Sequence, residues 1–377
     1  MTSLETLTQE LEVIDKLLIK LITRRLSVLK RVHEHKEALN YPLFQKEEEA
    51  NLKGRIAELA RRFEVKPELI EVVFRAITDE SFRQHMSYSQ ALAPTEARRT
   101  VAIIGGTGGM GRFFARLFAE RGHTVLVASE ATELRPEQAA AQADLVILSV
   151  PIAVTIEVIK QVAPHLKPGA CLIDVTSLKS GPLRAMLEHT APDVEVIGTH
   201  PMFGPTVKSL LRQVVVLCPG RGDVWLPWLR QFLESQGAII KLTTPLHHDK
   251  MMAIIQVLRH FVTIAMGKCL ETLDVDLDES LEFTSPIYRL ELAMIGRLFA
   301  QNAGLYADIE MQNPLTPRVV ASFLHAASTM AAVVVGTDRE AFIDHFEQTA
   351  SYFGEFRKQA MEESDYLIAK LVERLSG

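Results

Sequence analysis

The spacing of apolar residues changes along the chain. Over residues 4–36, Leu4, Leu7, Leu11, Ile14, Leu18, Leu21, Val28 and Val32 recur at steps of three and four, the seam of one amphipathic helix. At ~1.5 Å per residue such a helix is about 50 Å long. A small domain cannot bury a helix of that length alone, which predicts a partner helix across a dimer. Arg25 stands on the seam where an apolar residue is expected, and Lys36 follows on nearly the same face. Either both side chains snorkel at the end of a coiled coil, or they face an anion pocket within a helical bundle. Pro42 breaks the pattern. Two more helices are predicted, over 45–63 and 67–86, the second opened by Pro67.

From residue 100 the period shortens. Apolar runs at 101–104, 123–128, 144–152, 170–175 and 194–205 read as short buried strands of an open parallel sheet. From 246 onward the pattern is again nearly all helical. Met252, Ile255 and Phe261 share one apolar face there, and Phe342, Phe346, Tyr352 and Phe353 read as dimer or core packing.

The first strand runs into Gly106, Gly108 and Gly111, a G-x-G-x-x-G followed by a helical pattern and then a second strand. In this setting the motif reads as a dinucleotide site. Gly106 is expected to make the tight turn and Gly108 to let the backbone approach a pyrophosphate. Gly111 is expected to let the helix pack closely, its N-terminus facing the phosphates. Glu130, just past the second strand, is placed to hold a ribose hydroxyl and to repel a 2′-phosphate. NAD is therefore expected over NADP, although the small Ser129 and nearby Arg135 leave room for NADP.

Ligands of such sheets sit at the carboxyl ends of the strands. Ser149, Ser177, Lys179 and His200 all fall at such ends. A histidine there, beside a dinucleotide site, reads as an acid–base group, and Ser177 as its positioner. His247, His248 and Asp249 are adjacent and do not converge, so no metal site is expected. Arg289 and Arg297 lie on one helical face; surface salt bridges or a carboxylate grip would both account for them.

Charge and composition narrow the class. With 41 basic and 47 acidic residues, the net charge of −6 argues against a nucleic-acid partner. No run of about 18 apolar residues is present, so no membrane span is expected. The first residues do not resemble a signal peptide. Cys171, Cys218 and Cys269 are far apart and read as reduced core thiols, which places the protein in the cytoplasm.

The N-terminal stretch resembles the chorismate mutase domain of the all-helical, intertwined-dimer type. The resemblance rests on Leu11-x3-Asp15-x9-Arg25-x10-Lys36, then Pro42, Glu49 and Ser81. It implies that Arg25 binds a substrate carboxylate and that Lys36 donates to the ether oxygen of the breaking bond. Glu49 helps hold the reacting conformation, and Ser81 belongs to the substrate site. Four positions depart from the family pattern. Thr8 and Glu48 stand where arginines are usual, Gln45 where an acidic residue is common, and His85 where Gln or Glu is usual. Lys20, Arg24, Lys46 and Lys53 lie near enough in sequence to compensate.

The stretches Ser-Val-Pro-Ile (149–152), Asp-Val-Thr-Ser-Leu-Lys-Ser-Gly-Pro (174–182), Thr-His-Pro-Met-Phe-Gly-Pro (199–205) and the run 285–301 resemble prephenate dehydrogenases. With the N-terminal helices, the chain is similar to the fused chorismate mutase/prephenate dehydrogenases of tyrosine biosynthesis. That resemblance implies chorismate and prephenate as substrates, NAD as cofactor, a homodimer and tyrosine as a feedback inhibitor. It assigns His200 to catalysis, Arg297 to the ring carboxylate, and His260 to the substrate or tyrosine. The expected organisation is a mutase-type all-α domain (1–92), a linker (93–99) within a polar stretch at 87–99, an α/β Rossmann domain (100–243) and an all-α substrate and dimerisation domain (244–377). The alternative is a monofunctional prephenate or arogenate dehydrogenase whose N-terminal helices serve only dimerisation or regulation.

Overall fold

The computed structural model describes residues 3–39, 41, 46–92 and 98–375, less the side chains of 37, 46, 85–92 and 375. Gln45 and the side chain of His85, two of the expected departures, lie outside the described residues. The chain divides into two compact units. One holds residues up to Val150 together with Val154–Pro245; the other holds Pro151–Ala153 and Leu246–Gly377.

The first unit begins with three helices, α1 (Leu4–Ala38), α2 (Lys46–Arg62) and α3 (Pro67–Leu92). Helix α3 runs six residues past the expected end at 86, so the start of the polar stretch 87–99 is helical. Residues 87–92 contain no helix breaker, and residues 93–97 of the expected linker lie outside the described residues. Ile56 and Ala60 of α2 and Phe82 of α3 are buried, and His33 of α1 stacks on Phe82 with ring centroids 4.7 Å apart. The long seam of α1 is exposed: Leu4, Leu11, Ile14, Leu18 and Leu21 all face solvent in one protomer.

The remainder of this unit is a seven-stranded sheet. Its strands are β1 (Thr100–Ile104), β2 (Thr124–Ala128), β3 (Leu145–Leu148), β4 (Cys171–Asp174), β5 (Glu195–Pro201), β6 (Val214–Arg221) and β7 (Ile239–Leu242), in spatial order β2-β1-β3-β4-β5-β6-β7. The first five run parallel, as expected. β6 pairs antiparallel with β5, and β7 parallel with β6, so the sheet is mixed. These last two strands are not anticipated from the apolar runs, and both are short of a fully apolar pattern: Pro219, Gly220 and Arg221 end β6, and β7 carries Lys241.

The alternation of side chains explains the continuous apolar runs. Ala102, Ile104, Val146, Leu148 and Leu172 point to one face, against α5 (Pro136–Gln142), α6 (Thr155–Val162) and α7 (Ser180–His189). Val101, Ile103, Leu145, Ile147 and Ile173 point to the other, against α4 (Gly109–Glu120) and α8 (Trp225–Ser235). A sheet covered on both faces needs apolar residues at every position.

The second unit is helical: α9 (Pro245–Met252), α10 (Arg259–Thr272), α11 (Leu277–Glu282), α12 (Pro286–Phe299), α13 (Ala303–Gln312), α14 (Thr316–Val335), α15 (Arg339–Phe353) and α16 (Phe356–Leu375). A π-helical turn, Ala253–Leu258, joins α9 to α10. Helices α10 and α12 pack closely at Gly267, where an added Cβ would lie 2.4 Å from the Phe299 ring.

Two expectations are refined here. Cys171 and Cys218 are buried, and burial pushes the Cys171 thiol up, but Cys269 is exposed. Phe342, Phe346, Tyr352 and Phe353 are exposed in the protomer, so they do not form its core. Two helices, Pro245–Thr272 and Thr316–Val335, are long and apolar enough to cross a membrane by length and composition alone.

Candidate active sites

The glycine loop lies where the strand order reverses, since β1 has β2 on one side and β3 on the other. The left-handed residue of the turn is Gly105 (φ 81°), not Gly106. A side chain at Gly105 would also strike the Ser149 carbonyl at 2.3 Å, so Ser149, at the end of β3, packs directly against the loop. Gly106 requires glycine for a different reason: its Cβ would sit 2.8 Å from Val127 and 3.0 Å from the Ile103 carbonyl. At Gly111 a Cβ would lie 2.4 Å from the Gly105 carbonyl, so only glycine allows α4 this close to the turn. Gly108 is exposed and forms the N-cap of α4, and a Cβ there would meet only the Gly105 carbonyl, at 3.3 Å. The loop thus presents an open helix N-terminus suited to a pyrophosphate.

Past β2, the Thr132 hydroxyl accepts from the Ser129 amide at 2.7 Å, and the Ser129 hydroxyl accepts from the Ala131 amide. These bonds shape a tight turn that leaves Glu130 exposed. A carboxylate held on such a turn can accept from ribose hydroxyls.

β4 and β5 end side by side, with Asp174 opposite Gly198. Beyond that register lie Thr176, Ser177 and Lys179 on one strand's extension and Thr199 and His200 on the other. Lys179 is fully buried and pairs with Asp174; its ammonium also donates to the Thr199 carbonyl at 2.7 Å. The Thr199 hydroxyl in turn donates to the Asp174 carbonyl. His200 is buried and sits opposite Val216 of β6. Ser177 is half-buried in the turn that Asp174 and Thr176 pin down.

In the helical unit, His260 occupies the first turn of α10, just after the π turn. Such turns insert a residue and re-aim the side chains that follow. Its Nδ1 lies 3.5 Å from Glu310 Oε1 of α13, and Tyr306 packs edge-on at 4.8 Å. Neither of those two atoms makes a hydrogen bond, nor does the buried Oε1 of Gln256. Burial, aided by Arg259, lowers the His260 pKa to about 4; burial raises that of Glu310 to about 7. Arg297 is exposed on α12. His248 and Asp249 are buried and paired at 2.8 Å, and no cluster of three or more metal-ligating side chains occurs among the described residues.

Among α1–α3, Lys36 pairs with Glu48. The Arg25 guanidinium lies 4.7 Å above the Phe74 ring, and its Nη1 has no hydrogen-bond partner. Burial and the nearby charge of Arg55 both hold its pKa below the ordinary value. Ser81 is buried with its hydroxyl unpartnered. Glu49 pairs with Arg212 at 2.7 Å. Of the basic residues named as replacements for the missing arginines, Lys53 is tied to Glu71 at 3.3 Å, Lys20 and Arg24 are exposed, and the side chain of Lys46 lies outside the described residues.

Arg55, Arg212 and Glu310 are absent from the sequence reading. Arg55 carried a signal, being two helical turns from Glu48 and on its face. Arg212 and Glu310 carried none, because their partners are remote in sequence.

An open glycine loop at a strand switch point, a buried histidine at a strand end and a terminal helical unit define a dinucleotide-dependent dehydrogenase, here preceded by a mutase-type helical domain. Family models match in the same order: "Chorismate mutase type II" over residues 7–86, "Prephenate dehydrogenase, nucleotide-binding domain" over 119–242, and "Prephenate dehydrogenase, dimerization domain" over 244–348. The chain is 37% identical to the T-protein of Enterobacter agglomerans over 97% of both sequences. It is 40% identical to a probable arogenate/prephenate dehydrogenase of Methanocaldococcus jannaschii, over 73% of this chain and 66% of that one. The crystal structure of prephenate dehydrogenase from A. aeolicus, in complex with hydroxyphenyl propionate and NAD+, superposes with a TM-score of 0.57 at 18% identity, covering 70% of this chain and all of that one. The chain belongs to the T-protein family, the fused chorismate mutase/prephenate dehydrogenases.

Proposed function

We propose that the chain converts chorismate to prephenate and oxidises prephenate to 4-hydroxyphenylpyruvate, two steps toward tyrosine. Match to a T-protein along nearly its whole length supports both activities in one chain.

The observation that carries the dehydrogenase reading is His200, buried at the end of β5 in the same sheet as the glycine loop. Gly106, Gly108, Gly111, Glu130 and Ser149 hold the cofactor. NAD, when bound, supplies the two-electron oxidant. Neutral His200 accepts the proton of the ring hydroxyl as its carbon is oxidised, and Ser177 helps position the imidazole. Arg297 orients the ring carboxylate through a forked charge-assisted contact. Carbon dioxide then leaves, its bonding electrons enter the ring, and the ring becomes aromatic.

The mutase step is a pericyclic rearrangement, so the protein contributes restraint and charge rather than a covalent intermediate. Arg25 grips a carboxylate, Lys36 donates to the ether oxygen, and Glu49 and Ser81 hold the reacting conformer. The unpartnered Arg25 Nη1 and Ser81 Oγ, both buried, support a polar ligand in this site.

A second copy covers the α1 seam and the exposed apolar helices of residues 244–377, in keeping with the dimerization-domain model that matches residues 244–348. The enzyme is a cytoplasmic homodimer. Tyrosine acts as feedback inhibitor, with His260 in its site. The test is chorismate consumption by the purified protein without nicotinamide. Conversion to prephenate that Lys36→Ala abolishes is expected; no conversion, in a protein that still reduces NAD with prephenate, would leave the helices as a dimerisation or regulatory module.

A further inference from the structure

The ion pair between Glu49 and Arg212 joins two domains that the sequence treats as separate. Arg212 lies between β5 and β6 of the dinucleotide-binding domain. Its Nη2 is 2.7 Å from Glu49 Oε1 on α2 and 3.4 Å from Asp79 Oδ1 on α3. One guanidinium therefore bridges both helices. We propose that Arg212 is a positioning residue of the mutase site, holding the Glu49 carboxylate in place from the dehydrogenase domain; this rests on the mutase reading above.

Three observations converge on it. The first is conformational. Arg212 is a non-glycine residue at φ 60°, and its amide donates to the Gly237 carbonyl at 2.8 Å. A left-handed backbone at such a residue persists only where the surroundings fix it, and here it aims the side chain at α2 and α3. The second is chemical. Both contacts are made by Nη2, with Glu49 at hydrogen-bonding distance and Asp79 at 3.4 Å, where Oδ1 accepts no hydrogen bond, so the guanidinium holds Glu49 directly and Asp79 by charge.

The third is the balance of charge. Thr8 and Glu48 stand where the mutase motif carries arginines, and Glu48, Glu49 and Asp79 are among the eight carboxylates on α2 and α3. Lys36 takes Glu48, and Arg212 takes Glu49 and Asp79. Arg25 keeps a free Nη1, with the charge of Arg55 close by. A dianionic substrate then meets cations left over rather than bare carboxylates. Without Arg212, Glu49 and Asp79 become two adjacent unpaired anions, and Glu49 loses the contact that fixes its rotamer.

The experiment uses full-length wild type, Arg212→Ala, Arg212→Lys, Glu49→Gln and the double variant Glu49→Gln/Arg212→Ala. Chorismate kcat and KM are measured without nicotinamide, and prephenate-dependent NAD reduction is measured in the same preparations. Arg212→Ala is expected to lower mutase kcat/KM about tenfold or more, with Arg212→Lys recovering part. Dehydrogenase activity should stay within about twofold, and Arg212→Ala should add less than about twofold to the loss in Glu49→Gln. The proposal is overturned by wild-type mutase kinetics in Arg212→Ala, by parallel loss of both activities, or by effects that multiply in the double variant. A wild type that turns over no chorismate would sink the mutase reading and this proposal together; an active wild type matched by Arg212→Ala would sink the proposal alone.

Discussion

Lys179 holds the carbonyl of Thr199 at 2.7 Å, one residue before His200. The same ammonium is paired with Asp174, so a buried cation ties the end of β4 to the end of β5. Replacing Lys179 by Met leaves the buried Asp174 without its cation, held only by the Thr176 amide and hydroxyl. The expected loss is about 3–5 kcal/mol of stability, read as a lower urea midpoint, with prephenate turnover falling as β5 loosens. Adding Asp174→Asn should restore part of it. A midpoint equal to wild type would contradict this role for the pair.

His200 and Arg297 are expected to fail in different ways. His200→Asn removes the proton acceptor and should lower dehydrogenase kcat about 10²–10⁴-fold while prephenate affinity changes little. Arg297→Ala removes a carboxylate grip and should raise the KM for prephenate with a smaller effect on kcat. Steady-state kinetics with supplied prephenate separate the two; near wild-type turnover in His200→Asn would rule out its assignment.

Glu130 sits exposed on the turn after β2, with Arg135 five residues on. Glu130→Ser removes the charge that would repel a 2′-phosphate. The ratio of kcat/KM for NADP over NAD should rise about tenfold. An unchanged ratio would mean that other residues set the choice of cofactor.

The His260–Glu310 pair should make stability depend on pH in a distinctive way. Glu310, with a pKa of about 7 against an ordinary 4.5, keeps its proton in the fold after the unfolded chain has lost it. Its contribution is fully present below 4.5 and is lost as pH rises toward 7. His260, with a pKa of about 4 against 6.5, behaves oppositely: its contribution is present above 6.5 and is lost as pH falls toward 4. Between 4.5 and 6.5 the two slopes cancel, because the fold moves one proton from His260 to Glu310. Glu310→Gln abolishes the first slope, so the variant should gain stability relative to wild type as pH rises from 5 to 6.5. Denaturant midpoints at those two values decide it; parallel profiles for variant and wild type would refute the neutral pair.

The order of the parts is written in local sequence pattern. The seam of α1, the glycine loop and the β-branched runs are local patterns, and local patterns survive without a fold because each depends on near neighbours. The places of Gly108, Gly111 and Glu130 in the loop and turn were legible for that reason, as was that of His200 at the end of an apolar run. Gly105 was not distinguished from Gly106, because two adjacent glycines differ only in backbone dihedrals. β6 and β7 escaped notice because a mixed edge tolerates Pro219 and Lys241 where a central strand would not. Pairings across distance emerge with the folded chain: Lys179 with Thr199, His260 with Glu310, and Arg212 with Glu49. Each depends on where the chain returns in space, and nothing in the composition of residues 205–213 distinguishes an arginine that reaches another domain from one that faces water.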